Sequence, residues 1–274
     1  MASNLIQAID VHGHYGEFFR DENTPLKDGF MSGDAATVVK RARMANTQAT
    51  IVSPSKGLFP RFRADAFSGN EEAARDVEIH RELLQWVIID PGDPRTYQQA
   101  AEMLGSQRCV GIKIHPEEHG YPIVEHGPKI FEFAAKHRAF VLAHSGHENS
   151  KPMDFVPLAN NHPEVSLIVA HHGMGWDGDV THQVRCIQAS QHGNILTDTS
   201  TVRSIMPGLI EWGVQEVGAD RFLYGTDTPV YFAPMQRVRI DQADLSDDEK
   251  KLILRDNAIR LINAHGGCDI SWKE

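Results

Sequence analysis

The sequence predicts a (β/α)8 barrel (TIM barrel), an α/β fold, as one domain over residues 1–274. Three observations carry this prediction. Eight short runs rich in β-branched residues alternate with amphipathic, helix-like segments along the chain. Several runs are apolar at every position, such as 86–89 and 167–170, as expected for parallel strands that are buried on both faces. The length of 274 residues is also typical of such a barrel.

The strands are predicted, in chain order, at about residues 6–12, 49–54, 86–90, 109–115, 140–144, 165–171, 194–199 and 221–226. A doubly wound open sheet is the alternative that the same alternation of elements allows. No Gly-x-Gly-x-x-Gly motif follows the first strand, and no linker, repeat or low-complexity segment divides the chain. The barrel is therefore favoured over the open sheet.

Four local signals predict where helices begin. Asn70, followed by two glutamates, is predicted to be the N-cap of a helix that ends near Gln85. Asp93 is predicted to open the next helix, and Pro128 to lie in the first turn of a third. Ser246 and the glutamate three residues later match a capping box, which predicts the start of the last helix.

Composition and charge exclude several classes of protein. The formal net charge is −10, and basic residues form no long run, which argues against a nucleic acid or an anionic membrane as partner. No stretch approaches 18 consecutive apolar residues, and the N-terminus lacks the pattern of a signal peptide. The three cysteines are far apart and form no Cys-x-x-Cys pair, which favours a reducing, cytoplasmic location.

Histidines are concentrated at the ends of the predicted strands. Eight of the fifteen histidines lie at or just beyond a strand end: His12, His14, His115, His119, His144, His147, His171 and His172. The first two are spaced i and i+2, so both project from the same face of a strand. Because the active site of these barrels lies at the carboxyl ends of the strands, the clustering predicts a site for a divalent cation such as zinc. Such a cation lowers the pKa of a bound water towards 7.

The sequence also resembles the amidohydrolase superfamily, and within it the branch called amidohydrolase family 2. That branch includes aminocarboxymuconate-semialdehyde decarboxylase and related aromatic-acid decarboxylases. The resemblance is carried by ordered motifs between residues 8 and 262: Asp-Val-His-Gly-His at 10–14, Gly-Ile-Lys-Ile-His-Pro at 111–116, Val-Leu-Ala-His-Ser-Gly at 141–146, Ile-Val-Ala-His-His-Gly at 168–173, Asn-Ile-Leu-Thr-Asp-Thr-Ser at 194–200, Asp-Arg-Phe-Leu-Tyr-Gly-Thr-Asp-Thr-Pro at 220–229 and Asn-Ala-Ile-Arg-Leu-Ile at 257–262.

The resemblance implies a set of metal ligands and a catalytic pair. His12 and His14 match the ligand pair of the first strand, His144 the ligand of the fifth, and Asp227 the carboxylate of the eighth, which also takes a proton from an attacking water. His171 matches the histidine of the sixth strand, which handles protons in the decarboxylase relatives and binds a second metal in the dinuclear relatives. Its neighbour His172 is expected to face the other way.

Three further residues are candidates for binding substrate. Lys113 occupies the position at which dinuclear relatives carry a carbamylated lysine, although mononuclear relatives share the same motif; a second metal on a carbamylated Lys113 therefore stays an alternative. His115 lies on the same face as a candidate substrate contact. Arg61 follows the second strand and could clamp a substrate carboxylate. His147 and Glu117 are expected to be solvated loop residues.

These observations predict an enzyme with one divalent metal, zinc or else manganese, and a small-molecule substrate. The main interpretation is a metal-dependent hydrolase that uses a metal-activated water on a small carboxylate-bearing ester, lactone or amide. The alternative is a metal-dependent, non-oxidative decarboxylase of an aromatic or muconate-type acid, because the same ligands serve both reactions. A metal-free lactonase or a non-catalytic binding barrel is a second alternative. A homodimer is compatible with the sequence, which does not decide the oligomeric state.

Overall fold

Eight parallel strands follow one another around a barrel in the order of the chain. The computed structural model describes residues 6–19, 24–61 and 63–272. The strands are β1 Ala8–Tyr15, β2 Thr47–Pro54, β3 Leu83–Ile88, β4 Cys109–Ile114, β5 Val141–Ala143, β6 Leu167–Val169, β7 Ile195–Asp198 and β8 Phe222–Leu223. Each strand pairs with the next in parallel. The prediction of a (β/α)8 barrel is confirmed, and the doubly wound sheet is wrong.

Backbone hydrogen bonds between the first strand and the segment around β8 close the barrel. Val11 N donates to Tyr224 O at 2.9 Å, and Asp227 N donates to His12 O at 2.7 Å. The segment that carries Asp227 is thereby fixed directly against the strand that carries His12.

Helices cover the outside of the barrel. They are α1 Pro25–Phe30, α2 Ala35–Met44, α3 Ala66–Ile79, α4 Arg95–Met103, α5 Pro116–His119, α6 Ile123–His137, α7 Val156–Asn161, α8 His182–Gln188, α9 Leu209–Val217, α10 Ala233–Asp241, α11 Asp247–Lys251 and α12 Asn257–Ala264. A π-helical turn, Leu252–Asp256, joins the last two helices. None of the helices in the described ranges is long and apolar enough to cross a membrane.

The core has two layers because alternate strand residues point to opposite faces. Inside the barrel, side chains from all eight strands pack together, among them Ile9, Leu84 and Trp86, and Leu261 of α12 packs against this inner layer. Outside, residues such as Ile112 and Val141 pack against the helices. This filled interior leaves the carboxyl ends of the strands as the place where a cavity opens.

Two of the predicted helix starts are wrong. The helix assigned to Asn70 begins four residues earlier, at Ala66, where Asp65 is the N-cap and accepts a hydrogen bond from Ser68 N at 2.9 Å. Asn70 is buried, and its amide group donates to Ile88 O at 2.8 Å and accepts from Ile88 N at 2.7 Å. The helix ends at Ile79, so the predicted end near residue 85 lies in β3 instead.

Pro128 lies inside α6 rather than in its first turn, because the helix begins at Ile123. The other two helix signals are confirmed. Asp93 accepts a hydrogen bond from Arg95 N at 3.1 Å at the start of α4. Ser246 and Glu249 form both hydrogen bonds of the capping box.

Candidate metal centre

A cavity of about 120 Å³ opens at the carboxyl ends of the strands. It is lined by His12, His14, Phe18, Met31, Phe59, His115, Glu118, His144, His147, His171, Met174, Thr201, Asp227, Val230 and Tyr231. Six of the eight residues predicted for the site therefore meet at one cavity. The other two, Lys113 and Arg61, do not line it. The Lys113 side chain is buried, whereas that of Arg61 is 37% exposed.

Three of the four predicted metal ligands form a close group. His14 Nε2 lies 3.1 Å from Asp227 Oδ1, and His12 Nε2 lies 3.7 Å from the same oxygen. One ligand atom from each of these residues lies within 4.8 Å of the others. Two neutral imidazoles and one carboxylate are donors that zinc and manganese accept.

The Nδ1 atoms of His12 and His14 each contact an oxygen atom, and these contacts determine which ring nitrogen faces the cavity. His14 Nδ1 lies 3.0 Å from Ser53 O, and His12 Nδ1 lies 2.8 Å from Asp198 Oδ2. Because a carbonyl or carboxylate oxygen only accepts, each Nδ1 carries the proton and each Nε2 keeps its lone pair. This arrangement is the one that metal-binding histidines require, so the residues fit a divalent cation.

The fourth predicted ligand, His144, lies beside His171 rather than in the group around Asp227. His144 Nδ1 is 3.0 Å from His171 Nε2, and His144 Nε2 is 2.7 Å from His147 Nδ1. The ring of His144 also stacks on that of His115, with centroids 3.9 Å apart and planes within 12°. His144 is thus held in one orientation at the cavity wall.

His171 is oriented by both its backbone and its ring. Its φ of 69° lies in the left-handed region, and its backbone N–H donates to Asp198 Oδ1 at 2.9 Å. His171 Nδ1 donates to Ser200 O at 2.6 Å, which leaves Nε2 facing His144. Its neighbour His172 points away from the cavity, as predicted, and its Nε2 donates to Leu209 O at 3.1 Å.

Burial keeps several of these groups uncharged. Desolvation and the neighbouring Lys113 charge lower the pKa of His12 to about 3. Desolvation, with smaller contributions from neighbouring cationic groups, lowers the pKa of His115 and His144 well below the usual value. Desolvation also lowers the pKa of Lys113 to about 8. These histidines are therefore neutral near pH 7, the state in which an imidazole binds a metal.

Asp227 stays ionised although only 14% of its side chain is exposed. Desolvation acts to raise its pKa, but the adjacent imidazoles of His14 and His12 lower it further, so the net pKa lies below the usual value for an aspartate. Its φ of 57° lies in the left-handed region, which few residues other than glycine adopt. An ionised carboxylate beside two imidazoles supplies the negative charge that a divalent cation needs.

The three predicted substrate-binding residues have different surroundings. Lys113 Nζ donates to His12 Nε2 at 2.9 Å, so its amine lies directly at the metal group. His115 lines the cavity, and its Nδ1 accepts from Glu118 N at 3.2 Å, so Nε2 carries the proton. The guanidinium of Arg61 lies 3.3 Å from the carboxylates of Glu117 and Glu118, so it already forms ion pairs within this chain.

The sequence analysis missed residues that orient the candidate ligands. Asp198 is the last residue of β7, and Ser200 lies two residues beyond it. Both contact His12 and His171, with Ser200 Oγ 2.8 Å from His12 Nδ1 and 3.0 Å from His171 Nδ1. Asp198 ends its strand, so the rule that marked the strand-end histidines would have found it too. His147 is half-buried at the cavity, so the prediction that it is a solvated loop residue is wrong. The Glu117 side chain is 12% exposed, so the same prediction is wrong for it too.

Comparison with protein families identifies the chain. Residues 9–263 match the model of the family described as Amidohydrolase (Amidohydro_2), which is nearly the whole sequence. The chain belongs to this family of metal-dependent enzymes, and the resemblance inferred from the motifs is confirmed. Comparison with curated protein sequences gave no significant match.

Solved structures with the same fold include several decarboxylases. The 2,6-dihydroxybenzoate decarboxylase from Rhizobium superposes with a TM-score of 0.73 at 14% identity, covering 96% of this chain and 100% of its own. The 5-carboxyvanillate decarboxylase from Sphingomonas paucimobilis gives 0.72 at 13% identity, covering 94% and 99%. A dihydroxybenzoic acid decarboxylase from Polaromonas, with bound manganese and the inhibitor 2-nitroresorcinol, gives 0.70 at 14%, covering 94% and 97%. At this identity the likeness establishes the fold.

Proposed function

We propose that this enzyme is a metal-dependent, non-oxidative decarboxylase of a small aromatic carboxylic acid, with manganese or zinc as its cation. The observation that carries the proposal is the mixed lining of the cavity, which combines groups that can bind a metal with aromatic side chains. His12, His14 and Asp227 line it, and so do Phe18 and Phe59. At about 120 Å³ the cavity is comparable to one that holds a benzene ring.

The residues present suggest how the cation is held. His12, His14 and Asp227 would bind it, with His144, the residue that follows β5, as a fourth ligand. When bound, a divalent cation supplies positive charge that polarises the carboxylate, and any adjacent hydroxyl oxygen, of the substrate. Manganese is the metal named for the Polaromonas enzyme of the same fold. Zinc is equally compatible with a donor set of histidines and a carboxylate.

Aromatic side chains suit the flat ring of such a substrate. Phe18 and Phe59 pack with ring centroids 4.8 Å apart, and Phe59 meets His115 edge to face at 6.2 Å. Tilted and edge-to-face aromatic contacts of this kind stabilise a further ring that enters beside them. An apolar wall also keeps water away from the reacting carbon, so that its proton comes from a positioned side chain.

His171 is proposed to move that proton. Loss of carbon dioxide breaks the bond between the ring carbon and the carboxyl carbon and leaves the electron pair on the ring carbon. One proton must then be added to that carbon. Because Ser200 O fixes the proton on His171 Nδ1 at 2.6 Å, Nε2 is the atom that takes up a second proton and delivers it.

The residues around this centre complete the proposed site. The Nε2–H of His115 and the ammonium of Lys113 are proposed to stabilise negative charge on the substrate. Arg61 is proposed to bind the substrate at the rim of the cavity, where it forms an ion pair with Glu118. We further propose a small-molecule substrate, a cytoplasmic location and no nucleic-acid or membrane partner, as the composition predicts; a homodimer stays compatible with the chain.

The sequence analysis placed hydrolysis first, and the comparisons favour decarboxylation instead. The two reactions use the same ligands, so the ligand set does not separate them. The full-length likeness to decarboxylases of hydroxylated benzoic acids supports the second. In hydrolysis, Asp227 would have the additional task of taking a proton from the attacking water.

The test offers two classes of substrate to the same protein. Protein purified without a histidine tag and loaded with Mn²⁺ or Zn²⁺ is incubated with hydroxybenzoates, including 2,6-dihydroxybenzoate and 5-carboxyvanillate, and with lactones and aryl esters. Carbon dioxide and the aromatic product are measured by mass spectrometry. We expect equal amounts of both products and their loss in His171→Asn, with His192→Asn as an exposed control. Hydrolysis of a lactone or ester with no release of carbon dioxide would contradict the proposal.

A further inference from the structure

We infer that Asp10 is a positioning residue, which holds the turn that presents Asp227 to the cation. The inference rests on the cation site of the proposed function but not on the reaction carried out there. Asp10 lies in β1, two residues before His12, and its side chain is buried. Its carboxylate accepts three hydrogen bonds, which come from His12 and from Thr226, the residue before Asp227.

The carboxylate of Asp10 joins the two chain segments that carry the candidate ligands. Asp10 Oδ1 accepts from His12 N at 3.1 Å and from Thr226 N at 3.0 Å. Asp10 Oδ2 accepts from Thr226 Oγ1 at 2.5 Å. Because each buried backbone N–H needs an acceptor, one carboxylate satisfies both segments and keeps them side by side.

Thr226 connects Asp10 to the turn that contains Asp227. Its Oγ1 donates to Asp10 and accepts from Thr228 N at 3.1 Å, so this hydroxyl bridges the two neighbours of Asp227. Thr228 O in turn accepts from His14 N of β1 at 2.6 Å. Both neighbours of Asp227 are therefore bonded to β1, one through the side chain of Asp10 and the other through the backbone.

Asp227 needs this support because of its backbone conformation. Its φ of 57° lies in the left-handed region, which a residue with a Cβ keeps only where the surrounding structure holds it. In that conformation Asp227 Oδ1 lies 3.1 Å from His14 Nε2 and 3.7 Å from His12 Nε2. Without the bonds to Asp10 the turn can relax, and the carboxylate then moves away from the two imidazoles.

The link through Asp10 can be changed without changing a ligand. The bonds from His12 and His14 to the turn are made by backbone groups, which any residue would supply. The bond between Asp10 Oδ2 and Thr226 Oγ1 needs a carboxylate at one position and a hydroxyl at the other. Substitutions at these two positions therefore test the support of Asp227 while all the candidate ligands remain.

The test measures Mn²⁺ affinity by titration calorimetry in the absence of substrate, together with the Tm of the metal-free protein. Thr226→Val removes the hydroxyl at almost unchanged size, whereas Thr226→Ser keeps it. Asp10→Asn replaces one acceptor oxygen by an NH₂ group. We expect Thr226→Val and Asp10→Asn each to weaken binding by about 10- to 100-fold, and Thr226→Ser to retain most of the affinity. Because both changes break the same link, the double variant should lose less than the two single losses combined.

Thr96→Val is the matched control. Thr96 is also fully buried, and its Oγ1 donates to Asp93 O at 2.7 Å and accepts from Asp90 N at 3.1 Å, so its hydroxyl joins two parts of a loop as that of Thr226 does. Thr96 does not line the cavity. We expect Thr96→Val to lower the metal-free Tm to a similar extent as Thr226→Val, with the Mn²⁺ affinity of the wild type.

The outcomes separate this inference from the proposed function. Wild-type affinity in Thr226→Val or in Asp10→Asn would overturn the inference, and so would equal losses in Thr226→Val and Thr226→Ser. A loss in Thr96→Val as large as that in Thr226→Val would also overturn it, because general destabilisation would then explain both. A wild-type protein that binds neither Mn²⁺ nor Zn²⁺ would refute the cation site and this inference together. Failure to find decarboxylation would leave the result on Asp10 standing.

Discussion

Asp198 Oδ2 accepts a hydrogen bond from His12 Nδ1 at 2.8 Å, and both side chains are fully buried. The bond joins the end of β7 to the middle of β1. A carboxylate in this position fixes the imidazole tautomer and makes Nε2 a stronger donor to a metal. Desolvation acts to raise the pKa of Asp198, but His12 and the hydrogen bond to it lower the pKa below the usual value, so the carboxylate stays ionised.

This relationship predicts the effect of removing the charge of Asp198. Asp198→Asn keeps the size of the side chain and an acceptor for His12, but it loses the negative charge. We expect Mn²⁺ affinity to fall by about 10- to 100-fold, measured by titration calorimetry. Asp220→Asn is the matched control, because Asp220 pairs with the partly exposed Arg221 and does not line the cavity. An unchanged affinity in Asp198→Asn would mean that His12 is not held for a metal.

The second prediction concerns metal content. Wild-type protein grown with adequate manganese and zinc should contain about one ion per chain, because three donors converge on one point. His12→Ala and His14→Ala should each lose it, while His192→Ala, an exposed position, should keep it. Elemental analysis of protein without a histidine tag decides the result. Two ions per chain would instead favour the alternative in which Lys113 is carbamylated.

A third prediction tests the buried amide of Asn70. This side chain bonds both the N–H and the C=O of Ile88 and also donates to Gln99 Oε1 at 2.8 Å. Asn70→Leu leaves these groups without a partner and should lower the free energy of unfolding by about 3 kcal/mol. Urea unfolding followed by circular dichroism measures the change. Gln98→Leu on the exposed face of α4 should change it by less than about 0.5 kcal/mol.

The fourth prediction concerns the reactivity of the thiols. Burial raises the pKa of both Cys109 and Cys186 to about 12. Because the thiolate is the reactive form, these two residues stay protonated and unreactive at pH 8 in the folded protein. Cys268 is only half-buried. Native protein treated with iodoacetamide should therefore carry the label at Cys268, as read by peptide mass spectrometry, and unfolding in urea should expose all three. Rapid native labelling of Cys109 would contradict this.

The strands were predictable because their chemistry is local. A buried parallel strand needs an apolar run, and all eight runs gave a strand at nearly the expected residues. Helix ends were less predictable, as Asn70 illustrates. An asparagine before two glutamates matches an N-cap in sequence, but a contact with Ile88, eighteen residues away, decides its place inside the helix.

The residues of the site also differ in whether the sequence could predict them. Histidines at strand ends could be found because the fold brings every strand end to the same rim. The residues that orient them could not be found by counting histidines. Ser53 acts through its backbone carbonyl, which any residue would supply. Asp198 also ends a strand, but a search limited to histidines passes over it. Phe18 and Phe59, which also line the cavity, belong to no motif, so the sequence alone left hydrolysis and decarboxylation open.

His171 and Asp227 both have left-handed backbone conformations, with φ of 69° and 57°. For a residue with a Cβ, that conformation costs about 1 to 2 kcal/mol of stability. Glycine adopts it without this cost. Chains selected only for resistance to heat would therefore accept glycine at these two positions and lose the groups that face the cavity. Histidine and aspartate at these two positions therefore give the cavity two of its functional groups at the expense of how firmly the barrel folds.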